Sequence, residues 1–142
     1  MQTLQMSDPL LNGSGHRKWK VFIVDNHPMV RVRLAALIER ERNLEVCGES
    51  EAPAALPLIN QGEPDLVILD ISSERSGGLD LLKQLKALHP KLRVLALSLH
   101  GDRLHVAHAL RAGASGYLTK QEATVSILPA IQSVLEGKAH AH

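Results

Sequence analysis

Short apolar runs alternate along this chain with longer stretches whose apolar residues recur at helical spacing. The runs are Val21-Phe22-Ile23-Val24, Leu44-Glu45-Val46-Cys47-Gly48, Leu66-Val67-Ile68-Leu69, Leu92-Arg93-Val94-Leu95-Ala96-Leu97 and Gly116-Tyr117-Leu118-Thr119. The third, continuous and rich in Leu, Ile and Val, reads as a strand buried on both faces, the pattern of a parallel sheet covered by helices. After the first run, Val30, Leu34, Leu37 and Ile38 repeat at i, i+4, i+7 and i+8 among Arg31, Arg33, Glu39 and Arg40, which predicts an amphipathic helix. Pro28 suits its first position, with Asn26 or His27 as cap. A second helix follows Pro53, and Pro57 predicts that it is short or bent, because proline removes a backbone hydrogen bond. Leu79, Leu82, Leu85 and Leu88 mark a third helix, stopped by Pro90. A fourth spans about 102–112 and closes at Gly113. The fifth carries Ile127, Leu128, Ile131, Val134 and Leu135 on one face, with Pro129 near its first turns and Gly137 at its end.

Five strands alternating with five helices predict a doubly wound α/β fold, since right-handed crossovers place helices on both faces of a parallel sheet. The flavodoxin-like strand order 2-1-3-4-5 fits the short, evenly spaced units. Strands one and three are then neighbours, and ligands in such sheets bind where the strand order reverses, outside the carboxyl ends of the strands. The residues at those ends are Asp25 and Asn26, Asp70, Ser98 and Lys120.

The length of 142 residues suits one domain. Residues 1–18, with Gly13-Ser14-Gly15, read as a loose N-terminal arm, 19–137 as the domain, and 138–142 as a tail or the start of a linker. The balance of 16 basic and 15 acidic residues leaves a net charge of +1, no electrostatic footprint for nucleic acid. No stretch is apolar enough for a signal peptide or membrane span, so neither membrane nor nucleic acid is an expected partner of this segment, and a cytoplasmic location is expected. The single cysteine, Cys47, sits in a strand pattern and reads as a small core residue, not a nucleophile.

The polar residues at the strand ends describe one kind of chemistry. Carboxylates suit Mg²⁺, which binds through one or two of them and completes its shell with water and phosphate oxygens. A hydroxyl and an ammonium beside them suit the remaining oxygens of a phosphoryl group accepted by Asp70. Three stretches carry a family likeness: Val21-Phe22-Ile23-Val24-Asp25-Asn26-His27-Pro28-Met29-Val30-Arg31, Asp65-Leu66-Val67-Ile68-Leu69-Asp70, and Ala109-Leu110-Arg111-Ala112-Gly113-Ala114-Ser115-Gly116-Tyr117-Leu118-Thr119-Lys120. Over residues 19–137 the chain resembles the receiver domain of two-component response regulators, in the NarL/LuxR-type subgroup, whose fold is the CheY-like form of the flavodoxin-like sheet. The resemblance implies that Asp70 accepts a phosphoryl group from a sensor histidine kinase, with Ser98 as hydroxyl switch residue, Tyr117 as switch aromatic and Lys120 contacting the phosphoryl group. It implies a Mg²⁺ site built from Asp25, Asn26, Asp70 and the carbonyl of Ser72. It also implies a domain that catalyses only its own phosphorylation and dephosphorylation, a DNA-binding output domain, and a homodimer formed through the fourth and fifth helices with the fifth strand, or through the first and fifth helices.

Three positions depart from the family pattern. Asn26 stands where the family has a second acid, which predicts weaker metal binding because an amide oxygen lacks the charge. Ser73-Glu74 replace a frequent Met-Pro, and Gln121 replaces the proline that usually follows the lysine. A rival reading is an atypical receiver that acts as an interaction or dimerisation module without phosphate, favoured by Asn26 and Glu74 and opposed by Asp70, Ser98 and Lys120. An aspartyl-phosphate phosphohydrolase is a third, but Ser72 occupies the position where that chemistry uses a second acid. His100, His105 and His108 lie close in sequence, yet without a Cys or acidic partner at ligand spacing they read as solvated, not as a Zn²⁺ site. The resemblance also implies that Ser72, two residues past the acceptor, and His100, two past the hydroxyl, flank the path of water to the phosphorus.

Overall fold

The computed structural model describes residues 18–72, 77–99, 101, 103–137 and 140–141. Residues 1–17 of the expected arm, Ser73-Glu74, His100 and most of the 138–142 tail lie outside them. The elements are β1 (Trp19–Val24), α1 (Pro28–Ile38), β2 (Leu44–Ser50), α2 (Ala52–Gly62), β3 (Leu66–Asp70), α3 (Gly78–Leu88), β4 (Arg93–Ser98), α4 (Arg103–Arg111), β5 (Gly116–Thr119), α5 (Lys120–Leu135) and β6 (His140–Ala141). All strand pairings are parallel, and the order 2-1-3-4-5 is the one expected; the two-residue β6, where the sequence pattern predicts only a tail, adds to the β5 edge.

β3 is buried at every position, and its side chains alternate between two cores. Val67 and Leu69 join Phe22, Val24, Val94, Ala96 and Tyr117 beneath α2, α3 and α4. Leu66 and Ile68 join Val21, Ile23, Leu95, Leu97 and Leu118 beneath α1 and α5. Each such leucine or isoleucine contributes on the order of 1.5–3 kcal/mol by leaving water, so the central strand is the best-anchored element. Cys47 packs against the first core as expected, and burial raises its thiol pKa, which keeps it protonated and unreactive.

Three helices differ from their sequence patterns. α2 runs unbroken through Pro57, against the expectation of a short or bent helix. The carbonyl that Pro57 leaves without a donor is that of Pro53, an exposed residue in the first turn, where solvent has access. In α3 the buried residues are Gly78, Leu81, Leu82 and Leu85, while the expected Leu88 is 57% exposed. α5 begins at Lys120, so Pro129 lies in its middle and not near its first turns. Its start is set by a capping box in which the Thr119 side chain accepts from Glu122 N and the Glu122 carboxylate accepts from Thr119 N. The carbonyl opposite Pro129 belongs to Val125, 82% exposed and open to water. Gly113 closes α4 in a positive-φ conformation (φ 108°), as its residue type predicts.

Gly78 lets α3 approach the end of β3. A Cβ there would stand 2.1 Å from the Asp70 carbonyl oxygen and 3.0 Å from Ile71 Cα, both backbone atoms that cannot rotate away. Gly78→Ala is expected to lower stability by about 1–3 kcal/mol. Gly62→Ala, whose Cβ would meet only Cys47 Sγ at 4.0 Å, is expected to stabilise by about 0.4–1 kcal/mol. Urea denaturation of the two variants checks both signs.

Candidate functional site

Strand register assembles the site. Val24 pairs with Leu69, so Asp25 and Asp70 leave adjacent strands at the same level. Asp70 pairs with Leu97, and Ser98 pairs with Thr119, so Ser98 stands one residue beyond that level and Lys120 two. The long lysine stem spans the difference. Lys120 Nζ lies 2.9 Å from Asp25 Oδ2 and 3.1 Å from Asp70 Oδ2. Both carboxylates are almost fully buried, at 1% and 4% exposure.

Each acid is held by further contacts. Asp70 Oδ1 accepts from the Ser72 backbone N–H at 2.8 Å and from the Ser72 hydroxyl at 2.5 Å, and Ser72 Oγ in turn accepts from Leu99 N at 3.2 Å. Asp25 Oδ1 accepts from His27 N at 2.8 Å and lies 2.9 Å from His27 Nδ1. Asp25 Oδ2 is buried and accepts no aligned hydrogen bond; its contact with Lys120 is one of charge. An anionic oxygen left in this state suits a cation, and ligand atoms of Asp25, His27 and Asp70 all lie within 4.8 Å of one another. The residues present therefore fit a divalent cation.

Asp25, Asp70 and Lys120 are thus brought together as the sequence pattern predicts, with Ser72 directly against Asp70. Ser98 is fully buried at the end of β4. Tyr117 is also fully buried, its ring already inside the core under α4. Asn26 ties two elements together, its Oδ1 accepting from Ala52 N at 3.1 Å and so satisfying a donor at the start of α2. His105 Nε2 lies 3.4 Å from the Ile71 carbonyl oxygen and His108 is exposed; neither enters a cluster of potential metal ligands among the described residues.

Three contributors do not stand out for the site in the sequence pattern. His27, assigned only as a helix cap, is the N-cap residue of α1 but makes no side-chain cap bond; its ring faces Asp25 and reaches within 3.3 Å of Lys120 Nζ. Arg31, placed on a polar helix face, donates from Nη1 to the Asp25 carbonyl and from Nε to Glu49, fixing the end of β1. The third is the Thr119–Glu122 pair that sets Lys120, whose Thr-x-x-Glu spacing is a capping signature legible in the residues themselves.

A parallel sheet of this order with two acids and a lysine at its switch point defines a class, and the comparisons agree. The family of response regulator receiver domains matches residues 21–132, and the chain belongs to that family. It is 31% identical over 126 residues to the transcriptional regulatory protein DegU of Brevibacillus brevis, an alignment covering 88% of this chain and 53% of that protein. It is 36% identical over 121 residues to the transcriptional activator protein ExaE of Pseudomonas putida, covering 84% and 56%. A LuxR-family response regulator from Aurantimonas sp. SI85-9A1 superposes with a TM-score of 0.81 at 30% identity, covering 87% of this chain and 89% of that one. The signal receiver domain of NarL from Mycobacterium tuberculosis gives 0.78 at 29%, covering 85% and 98%. The chain spans about half the length of the curated relatives it matches.

The contact of Asn26 with α2 has a measurable consequence. Asn26→Ala is expected to cost about 1 kcal/mol by leaving Ala52 N without its acceptor, whereas Asn26→Asp keeps an acceptor there and the stability. Equal losses in urea denaturation of the two variants would show that the hydrogen bond is not what Asn26 contributes.

Proposed function

We propose that this receiver domain, taken as residues 19–137, accepts a phosphoryl group on Asp70 from the phosphohistidine of a sensor histidine kinase in the cytoplasm. The observation that carries the reading is the state of Asp70: a buried carboxylate with the Lys120 ammonium on one oxygen, Ser72 on the other, and beside it Asp25 Oδ2, which meets Lys120 by charge but accepts no aligned hydrogen bond. In the reaction an Asp70 oxygen bonds to phosphorus as the P–N bond breaks, and the electron pair returns to the donor imidazole. Ser72 fixes the plane of the carboxylate for that attack. Lys120 neutralises charge on the phosphoryl oxygens, a contribution made by positioning alone. A divalent cation held by Asp25 and Asp70, with the Ser72 carbonyl and the remaining lone pair of Asn26 as further donors, would neutralise the same oxygens. Asn26 brings no charge to that shell, so weak Mg²⁺ binding follows.

The response would pass from Asp70 through Ser98 and Tyr117 to the surface. Its readers would be a DNA-binding output domain joined through residues 138–142, by analogy with the transcriptional regulators the chain resembles, and a second copy of the chain. Exposed Met29 and Val32 on α1 and Val125 on α5 support self-association through that face. The intact Asp70–Lys120 contact supports this reading over a phosphate-independent module.

Labelling with a small acyl-phosphate donor and Mg²⁺ is expected to add one phosphoryl group, slowly, and none to Asp70→Asn. Asn26→Asp is expected to speed it by supplying the missing carboxylate. Intact-mass spectrometry reads all three, and an adduct that persists in Asp70→Asn would overturn the assignment.

A further inference from the structure

We propose that His27 is a ligand of the site's cation, so that the site takes a first-row transition dication in preference to Mg²⁺. The inference deepens the phosphoacceptor reading and rests on it for what the ion does. Three observations carry it. Asn26, at the position of the family's second acid, has its Oδ1 engaged with Ala52 N, so the oxygen that would suit Mg²⁺ is partly withdrawn. Ligand atoms of His27, Asp25 and Asp70 lie within 4.8 Å of one another, close enough to share one ion. A cation already stands among them: Lys120 Nζ is 2.9 Å from Asp25 Oδ2, 3.1 Å from Asp70 Oδ2 and 3.3 Å from His27 Nδ1.

The donor chemistry then decides the ion. Mg²⁺ demands oxygen ligands in near-ideal octahedral geometry and gains little from an imidazole. Later first-row dications bind imidazole nitrogen well alongside carboxylate. His27 Nδ1 lies 2.9 Å from Asp25 Oδ1, an acceptor-only oxygen, so without the ion Nδ1 donates there; an entering dication takes the place of that proton, which moves to Nε2, in solvent on a side chain 62% exposed. The ammonium, on a flexible stem, yields its place when a dication enters. The side chain of His27 makes no cap bond in α1, so its removal does not unmake the helix.

Co²⁺ and Mg²⁺ titrations of the full chain test the assignment, Co²⁺ read by its visible ligand-field bands and Mg²⁺ by calorimetry. Asp70→Asn is expected to weaken both ions. His27→Ala is expected to weaken Co²⁺ at this site about tenfold or more and to change Mg²⁺ by no more than about twofold. In the unsubstituted protein a Co²⁺-shifted imidazole N–H resonance that disappears in His27→Ala is the second readout, and it separates His27 from the other histidines. Co²⁺ affinity unchanged in His27→Ala, with no His27 resonance shifted, overturns the proposal. Phosphodonor labelling run in parallel keeps the two readings apart. Asp70 labelled with Co²⁺ binding indifferent to His27 overturns the ligand assignment alone. His27-dependent Co²⁺ binding with Asp70 unlabelled overturns the phosphoacceptor reading alone.

Discussion

Two carboxylates buried side by side at the ends of adjacent strands require a cation between them. At 4.8 Å or less, two unit negative charges repel by roughly 3 kcal/mol or more at an effective dielectric of about 20. Lys120, at 2.9 and 3.1 Å from the two acids, offsets this with an attraction of roughly 5 kcal/mol to each on the same scale, before desolvation takes its share. The ammonium therefore turns a repulsive pair into a bound triple. This requirement explains why α5 starts where it does. The Thr119–Glu122 capping box sets Lys120 at the first position of the helix, from which its stem reaches back to the level of Asp25 and Asp70.

The other supports of the site are tied to helix starts in the same way. Asn26 joins β1 to the first turn of α2, Gly78 lets α3 close against the Asp70 carbonyl, and Arg31 of α1 holds the Asp25 carbonyl. Ser72 binds Asp70 and also receives Leu99 N, while His105 of α4 meets the Ile71 carbonyl. The segment just past Asp70 is thereby in hydrogen-bond contact with the end of β4 and with α4. A change of charge at Asp70 alters the partner of Ser72 first, and Leu99 and α4 are its next neighbours.

Much of this was legible in the chain. The apolar run Leu66–Leu69 identified the doubly buried central strand because only a sheet covered on both faces hides consecutive side chains. The acids at the ends of two such runs, with Lys120 after a third, marked the switch point, since parallel topology brings all carboxyl ends to one edge. Helix interiors were less legible. Pro57 looked like an interruption and Pro129 like a residue of the first turns, yet both lie within helices, the carbonyls they leave unpaired belong to exposed residues, and exposure is a property of the packed molecule. Leu88 fitted the same periodicity as Leu85, but the face of α3 is set by the close approach at Gly78, which turns Leu81 inward instead.

The sequence by itself determined the fold class, the strand order and the residues gathered at the carboxyl edge of the sheet, because periodicity and chain reversal are local and topological properties. Only the tertiary structure decided which atoms of those residues are free. Asn26 and His27 are neighbours in the chain; either suited the helix cap by residue type, and the family resemblance placed Asn26 at the metal. In the folded protein Ala52, far along the chain, draws the Asn26 oxygen to α2, and Asp25 draws the His27 ring toward the acids. A side chain's partner is chosen by what the fold brings within about 3 Å of it, and no spacing along the sequence carries that distance.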